Sequence, residues 1–119
     1  MTPFGARLRA IRTQRGMTLA QFATELQVSA AYLSALEHGH RGAPSTGLVH
    51  QVCEVFGLIW DEADELARLA RLSHPRITVD TSGLSPEKTA LANRLAQTIH
   101  RLPPGTVAAL HAVLDEEGS

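Results

Sequence analysis

The sequence predicts an all-α protein with at most one short strand. Three observations predict it. The 119 residues are 44% apolar, enough to bury a core, yet only five are aromatic, so the core falls to Leu, Ala, Val and Ile. Leu and Ala with few β-branched residues favour helix. Apolar positions recur at helical spacing, and Ser or Thr caps and Gly stops punctuate them.

Phe4, Leu8 and Ile11 form the stripe of a first helix, and Gly16 is a good C-terminal stop. Thr18 sits where an N-cap belongs, before a second helix through LAQFATEL. Val28-Ser29 repeats the device before AAYLSALEH, which runs to Gly39. The link between these two helices is only Leu26, Gln27 and Val28, so they form a helix-turn-helix unit. Ser45 caps a fourth helix lined by Leu48, Val52, Val55 and Phe56 and closed by Gly57. A fifth runs from about Trp60 to Leu72, with apolar contacts from Ala63, Leu66, Ala70 and Leu72. Its acidic first turn, DEADE, suits the positive end of the helix dipole.

The texture then changes. Arg76-Ile77-Thr78-Val79-Asp80 alternates, the one strand signal in the chain, and predicts a short strand over 76–80. Ser85-Pro86-Glu87 opens a sixth helix over about 85–102, carrying Leu91, Leu95, Ile99 and Leu102. Pro103-Pro104-Gly105 breaks it. A seventh follows over about 106–116 with Val107, Leu110, Val113 and Leu114, and DEEGS reads as a frayed tail. The predicted organisation is a domain over 1–72 and a C-terminal extension over 73–119.

The net charge of −1 argues against a generic nucleic-acid binder but hides an asymmetry. Residues 1–57 carry five arginines (7, 9, 12, 15, 41) against three glutamates (25, 37, 54), a net +2. Residues 58–119 carry six basic and nine acidic side chains, a net −3. The first half can face a polyanion while the second stays away. No apolar run approaches the ~18 residues of a membrane span, and MTPFGARLRAIR lacks a signal-peptide core. The single cysteine, Cys53, permits no disulfide within the chain and fits a reducing cytoplasm.

Residues 4 to about 66 resemble the Cro/CI-type (Xre) helix-turn-helix repressors of bacteria and phages. The residues that carry the resemblance are LRAIRTQRGMTLAQFATELQVSAAYLSALEHGHRGAPS and FGLIWDEADEL. Within them coincide R-x-x-R-G (Arg12 to Gly16), small Ala23, V-S opening the third helix, and L-E-x-G (Leu36 to Gly39) closing it. The resemblance implies a five-helix lambda-repressor-like DNA-binding domain whose third helix enters the major groove of double-stranded DNA, N-terminus first. Its outward positions are then Ser29, Ala30, Ala31, Ser34 and Ala35, with Tyr32 at the margin. It also implies a structural pair between Arg12 and Glu37. Phosphate or minor-groove contacts fall to Thr18, Gln21, His40, Arg41, Gly42 and Ser45. The family commonly has Gln after the second helix's cap, and this chain has Leu19 there.

Arg, Gln and Asn are the usual bidentate base readers, each worth about 1–3 kcal/mol of discrimination, and the outward face of the third helix has none. Ala30 and Ala31 can meet thymine methyls, and Ser29 and Ser34 offer single hydrogen bonds. Specificity must then lean on DNA shape, on Arg41 or His40 near the minor groove, and on two copies binding together.

His38-x-His40 and the pair His50 and Cys53 are scattered over different elements, short of the four-ligand spacing of structural zinc, so no metal site is expected. No phosphate loop, H-E-x-x-H or G-x-S-x-G points to catalysis, and no cofactor is implied. In the C-terminal third, Ile77 and Val79 either pair with the same segment of a second chain across a two-fold axis or form a strap over the chain's own helices. Leu91 and Leu95 belong to a dimerisation element. The expected function is a cytoplasmic, non-enzymatic, homodimeric transcriptional regulator on a pseudo-palindromic operator, most simply a repressor. Two alternatives stand beside it: an antitoxin gripping a toxin through its C-terminal helices, and a protein-interaction adaptor that has lost DNA binding.

Overall fold

Two helices of the N-terminal half approach so closely that no side chain fits between them, and the rest of that half packs around this contact. The structure, a computed structural model, describes residues 1–40 and 42–118. The chain divides into two compact units, Met1–Ile77 and Thr78–Ser119.

The first unit holds α1 (Pro3–Gln14), α2 (Leu19–Leu26), α3 (Ala30–His38), α4 (Thr46–Phe56) and α5 (Asp61–Arg71). Four begin on hydroxyl caps: Thr2, Thr18, Ser29 and Ser45 each accept a hydrogen bond from a backbone N–H three residues on. Thr18 and Gln21 complete a reciprocal capping box, the Gln21 amide oxygen accepting from the Thr18 N–H at 2.9 Å. Left-handed Gly39 and Gly57 end α3 and α4. α5 has no side-chain cap. Its N-cap, Trp60, takes φ 53° with its indole in water, and Asp61, Glu62 and Asp64 answer the exposed N–H groups by charge.

The buried core consists of Phe4, Leu8, Phe22, Ala23, Leu26, Leu33, Leu36, Leu48, Val52, Phe56, Leu66 and Ala70. α1 packs on α3 and α5, and α2 on α3 and α4. Phe22 and Phe56 stack with ring centroids 4.7 Å apart, joining α2 to α4.

The second unit holds α6 (Pro86–Thr98), a 3-10 turn (Ile99–Arg101) and α7 (Pro104–Gly118). Ser85 caps α6 and Pro86 starts it. α7 opens on Pro104, two residues earlier than the spacing suggested, because proline is well suited to a first helical position. It also continues through Asp115, Glu116 and Glu117. No described residue of this unit is buried.

One expectation is overturned. All described elements are helical, and Arg76–Asp80 forms no strand. The alternating pattern has no partner strand among the described residues, and a lone strand leaves its N–H and C=O groups unpaired. The segment runs exposed instead, and just beyond it the Ser82 N–H donates to Asp80 Oδ1 at 2.9 Å, a local turn. The all-α class holds without the strand.

Candidate nucleic-acid interface

α3 has two faces of opposite character. Ser29, in extended conformation, accepts the Tyr32 N–H at 3.1 Å and so starts the helix with its end in solvent. Ser29, Ala30 and Ala31 are exposed, Tyr32, Ser34 and Ala35 half-buried, and Leu33, Leu36 and Glu37 buried. The outward face therefore carries no charge and no long side chain along its first two turns.

The inner face is braced at its C-terminal end. Arg12 on α1 donates from Nε to Glu37 Oε2 at 2.9 Å and from Nη2 to Oε1 at 3.1 Å, a fork-to-fork pair. Its third donor, Nη1, reaches the Met17 carbonyl at 3.2 Å, tying in the approach to α2. The Glu37 carboxylate, through these hydrogen bonds, pushes the Arg12 guanidinium pKa above its usual range. Gly5 lies against the same region: a β-carbon there would run into the Leu36 carbonyl oxygen.

The C-terminal end of α3 leads into the loop. His40 N–H donates to the Ala35 carbonyl at 2.9 Å as Gly39 turns the chain. His38 Nδ1 lies 2.8 Å from the Ser34 carbonyl and, in the Nδ1–H tautomer, donates to it. His40, Gly42 and Ser45 are exposed, while Arg41 lies outside the described residues.

Thr18, Ser29 and Ser45 each use a hydroxyl oxygen as acceptor in a cap. A hydroxyl keeps its own proton when it accepts, so each retains one donor for a phosphate. Gln21 has its amide oxygen committed to the capping box, which leaves its NH2 group as the part able to donate outward. Leu19 packs partly buried against the core, so that position contributes no polar contact. The structure thus distributes the residues expected to meet DNA over the starts of α2, α3 and α4 and the loop after α3.

The supporting contacts of three residues were not foreseen from the sequence. Ser73 is buried, accepts the Phe4 N–H at 2.9 Å and donates to the Leu69 carbonyl, fastening the start of α1 to the end of α5. Arg15 donates to the Phe56 carbonyl at 2.7 Å and covers the Phe56 ring, closing the C-terminus of α4. Gly5 did leave a signal, because glycine inside a helical pattern is unfavourable unless a close approach needs it.

Cys53 lines an apolar groove with Val49, Leu58 and Ala63, and burial pushes its thiol up from the ordinary range. In the native protein it should react several-fold more slowly with iodoacetamide at pH 8 than after unfolding in urea. Equal rates would place it in open solvent. Among the described residues no cluster of three or more His, Cys, Asp or Glu is placed to hold a metal ion, and no helix is long and apolar enough to cross a membrane.

A short helix, a three-residue turn and a second helix with a free, solvent-facing start define a helix-turn-helix protein. The chain belongs to the helix-turn-helix domain family, whose model matches residues 3–69. It is 38% identical over 61 residues to the HTH-type transcriptional repressor RghR of Bacillus subtilis, covering 51% of this chain and 45% of that protein. It is 36% identical over 55 residues to the uncharacterized HTH-type transcriptional regulator RghRB of the same organism, covering 46% and 40%. The chain therefore spans less than half the length of each of these two relatives. No solved structure matches it significantly.

Proposed function

We propose that this protein is a sequence-specific, double-stranded DNA-binding transcriptional regulator, and most simply a repressor that occludes a promoter. One observation carries the reading: α3 keeps a small, uncharged first turn in solvent while its other end is locked by Arg12 and Gly5. A helix so held can approach a major groove closely without collapsing into its own core. The family membership supports DNA as the partner, and the repressor among its relatives supports the sign of regulation.

In this reading Ser29, Ala30, Ala31, Ser34 and Ala35 meet base edges and methyls, with Tyr32 at the margin. Thr18, Gln21, His40, Arg41, Gly42 and Ser45 hold phosphates or the minor groove. Small side chains give weak direct discrimination, so the protein works in the cytoplasm as a homodimer on a pseudo-palindromic operator with half-sites about one helical turn apart. It has no catalytic role.

Genome-wide mapping of occupancy would supply the operator, and fluorescence anisotropy on that duplex tests the reading. Affinity should fall steeply with salt, by a slope of about −0.9 for each phosphate contacted. Arg41→Ala should reduce that slope by about 1, and Ser29→Ala should weaken operator binding. No duplex binding at low salt would overturn the proposal. It would favour the adaptor reading, which the alanine-rich α3 and Leu19 also suit, if capture of a protein partner persisted in the same variants.

A further inference from the structure

The second unit leaves its apolar faces uncovered. α6 and α7 are long enough to carry apolar stripes, but neither packs along the other and no described residue of the unit is buried. On α6 the stripe is Leu91 and Leu95, continued by Ile99 in the 3-10 turn, and on α7 it is Val107, Leu110 and Leu114, flanked by Val113, all exposed. Short helices in water need such a face covered.

The two stripes fit each other in one direction. Lys88 extends the α6 stripe one turn toward its N-terminus, and Glu117 extends the α7 stripe one turn toward its C-terminus. A single antiparallel register sets Lys88 opposite Glu117, Leu91 opposite Leu114, and Leu95 opposite Leu110. Charge agrees with shape. From Pro86 to Arg101 the basic residues are Lys88, Arg94 and Arg101 against Glu87 alone, while α7 carries Asp115, Glu116 and Glu117 and no Lys or Arg. Those three carboxylates sit at the negative end of the α7 dipole, where only nearby cations make them favourable.

Within one chain this pairing is not made. Leu102, held extended before proline, and Pro103 are the whole link between the 3-10 turn and α7, and α7 does not return along α6. Short, stiff hinges favour exchange of an element between identical copies. Resting on the homodimer reading above, we infer that α7 of one protomer packs antiparallel on α6 of a second copy of this chain. The two-fold axis repeats the contact, and the four helices form a bundle. Four apolar stripes are covered together, and each acidic α7 end meets a basic α6.

The test combines oligomeric state with cross-linking in the full chain. Light scattering should give a dimer for the natural protein, and Leu110→Asp with Leu114→Asp should raise its dissociation constant more than about 100-fold. Circular dichroism should still show the first unit's cooperative melt. Lys88→Glu and Glu117→Lys should each weaken the dimer about two- to fivefold, and the double exchange should restore it. With Cys53→Ala as background, Leu95→Cys plus Leu110→Cys should oxidise to a covalent dimer. A disulfide confined to one chain would overturn the exchange in favour of a closed hairpin. A dimer unmoved by the aspartates would overturn this surface while leaving the homodimer reading intact. A natural protein monomeric at high micromolar concentration would overturn both.

Discussion

Arg12→Ala is expected to lower the stability of the Met1–Ile77 unit by about 3 kcal/mol or more. The two partners of the ion pair are unequally placed: the Arg12 side chain is 19% exposed, and that of Glu37 is 2%. An exposed pair would be worth under about 1 kcal/mol. Here the loss is dominated by what remains, a carboxylate sealed in the protein with two acceptor oxygens and no cation. The Met17 carbonyl loses its donor as well. Removing both charges together should be far milder, because a buried pair replaced by apolar residues is often neutral or stabilising. Arg12→Met with Glu37→Leu should therefore recover most of the lost stability. Urea unfolding followed by far-UV circular dichroism at pH 7 separates the outcomes. An unchanged midpoint for Arg12→Ala would mean that water reaches Glu37.

Gly5→Ala is the second large effect. Alanine is normally the better helix residue by about 1 kcal/mol. At this position the sign reverses. A β-carbon on Gly5 would meet the Leu36 carbonyl oxygen head-on, and would lie 3.0 Å from the Glu37 carbonyl oxygen and 3.1 Å from the Glu37 Cα. All three obstacles are backbone, so no side chain can swing aside and α1 must lift off α3. A net loss of about 2 kcal/mol is expected from the overpacking. Operator affinity should fall further than the lost stability alone explains, because α3 is displaced. Gly105→Ala is the control: nothing lies within 4 Å of its would-be β-carbon, so the ordinary helical preference should hold. Equal thermal midpoints for Gly5→Ala and the natural protein would show that the helices separate without strain.

The helices of the first unit were readable because their signals are local. Thr18, Ser29 and Ser45 lie one residue before the helices they cap, and Gly39 and Gly57 directly follow the helices they end. The strand was misread because alternation at Arg76–Asp80 is only half of a strand; the other half is a neighbour, which spacing along one segment does not reveal. Arg15 and Ser73 escaped for a related reason. Their hydrogen bonds reach across 41 and 69 residues of sequence, and nothing beside either residue announces the partner. The candidate interface was the hardest part to read. Ala and Ser are as common on bland surfaces as in grooves, so the first turn of α3 has no compositional mark of its own, and only its frame singles it out.

The placement of Trp60 decides how this molecule can be watched. It is the single tryptophan of the chain and is 81% exposed at the start of α5. An indole already surrounded by water changes its emission little when the core melts. Intrinsic fluorescence is therefore nearly blind to unfolding here, and a flat trace during denaturation is no sign of stability. The same indole is well placed as a reporter for anything that docks near the N-terminus of α5, since there the signal starts from bare solvent.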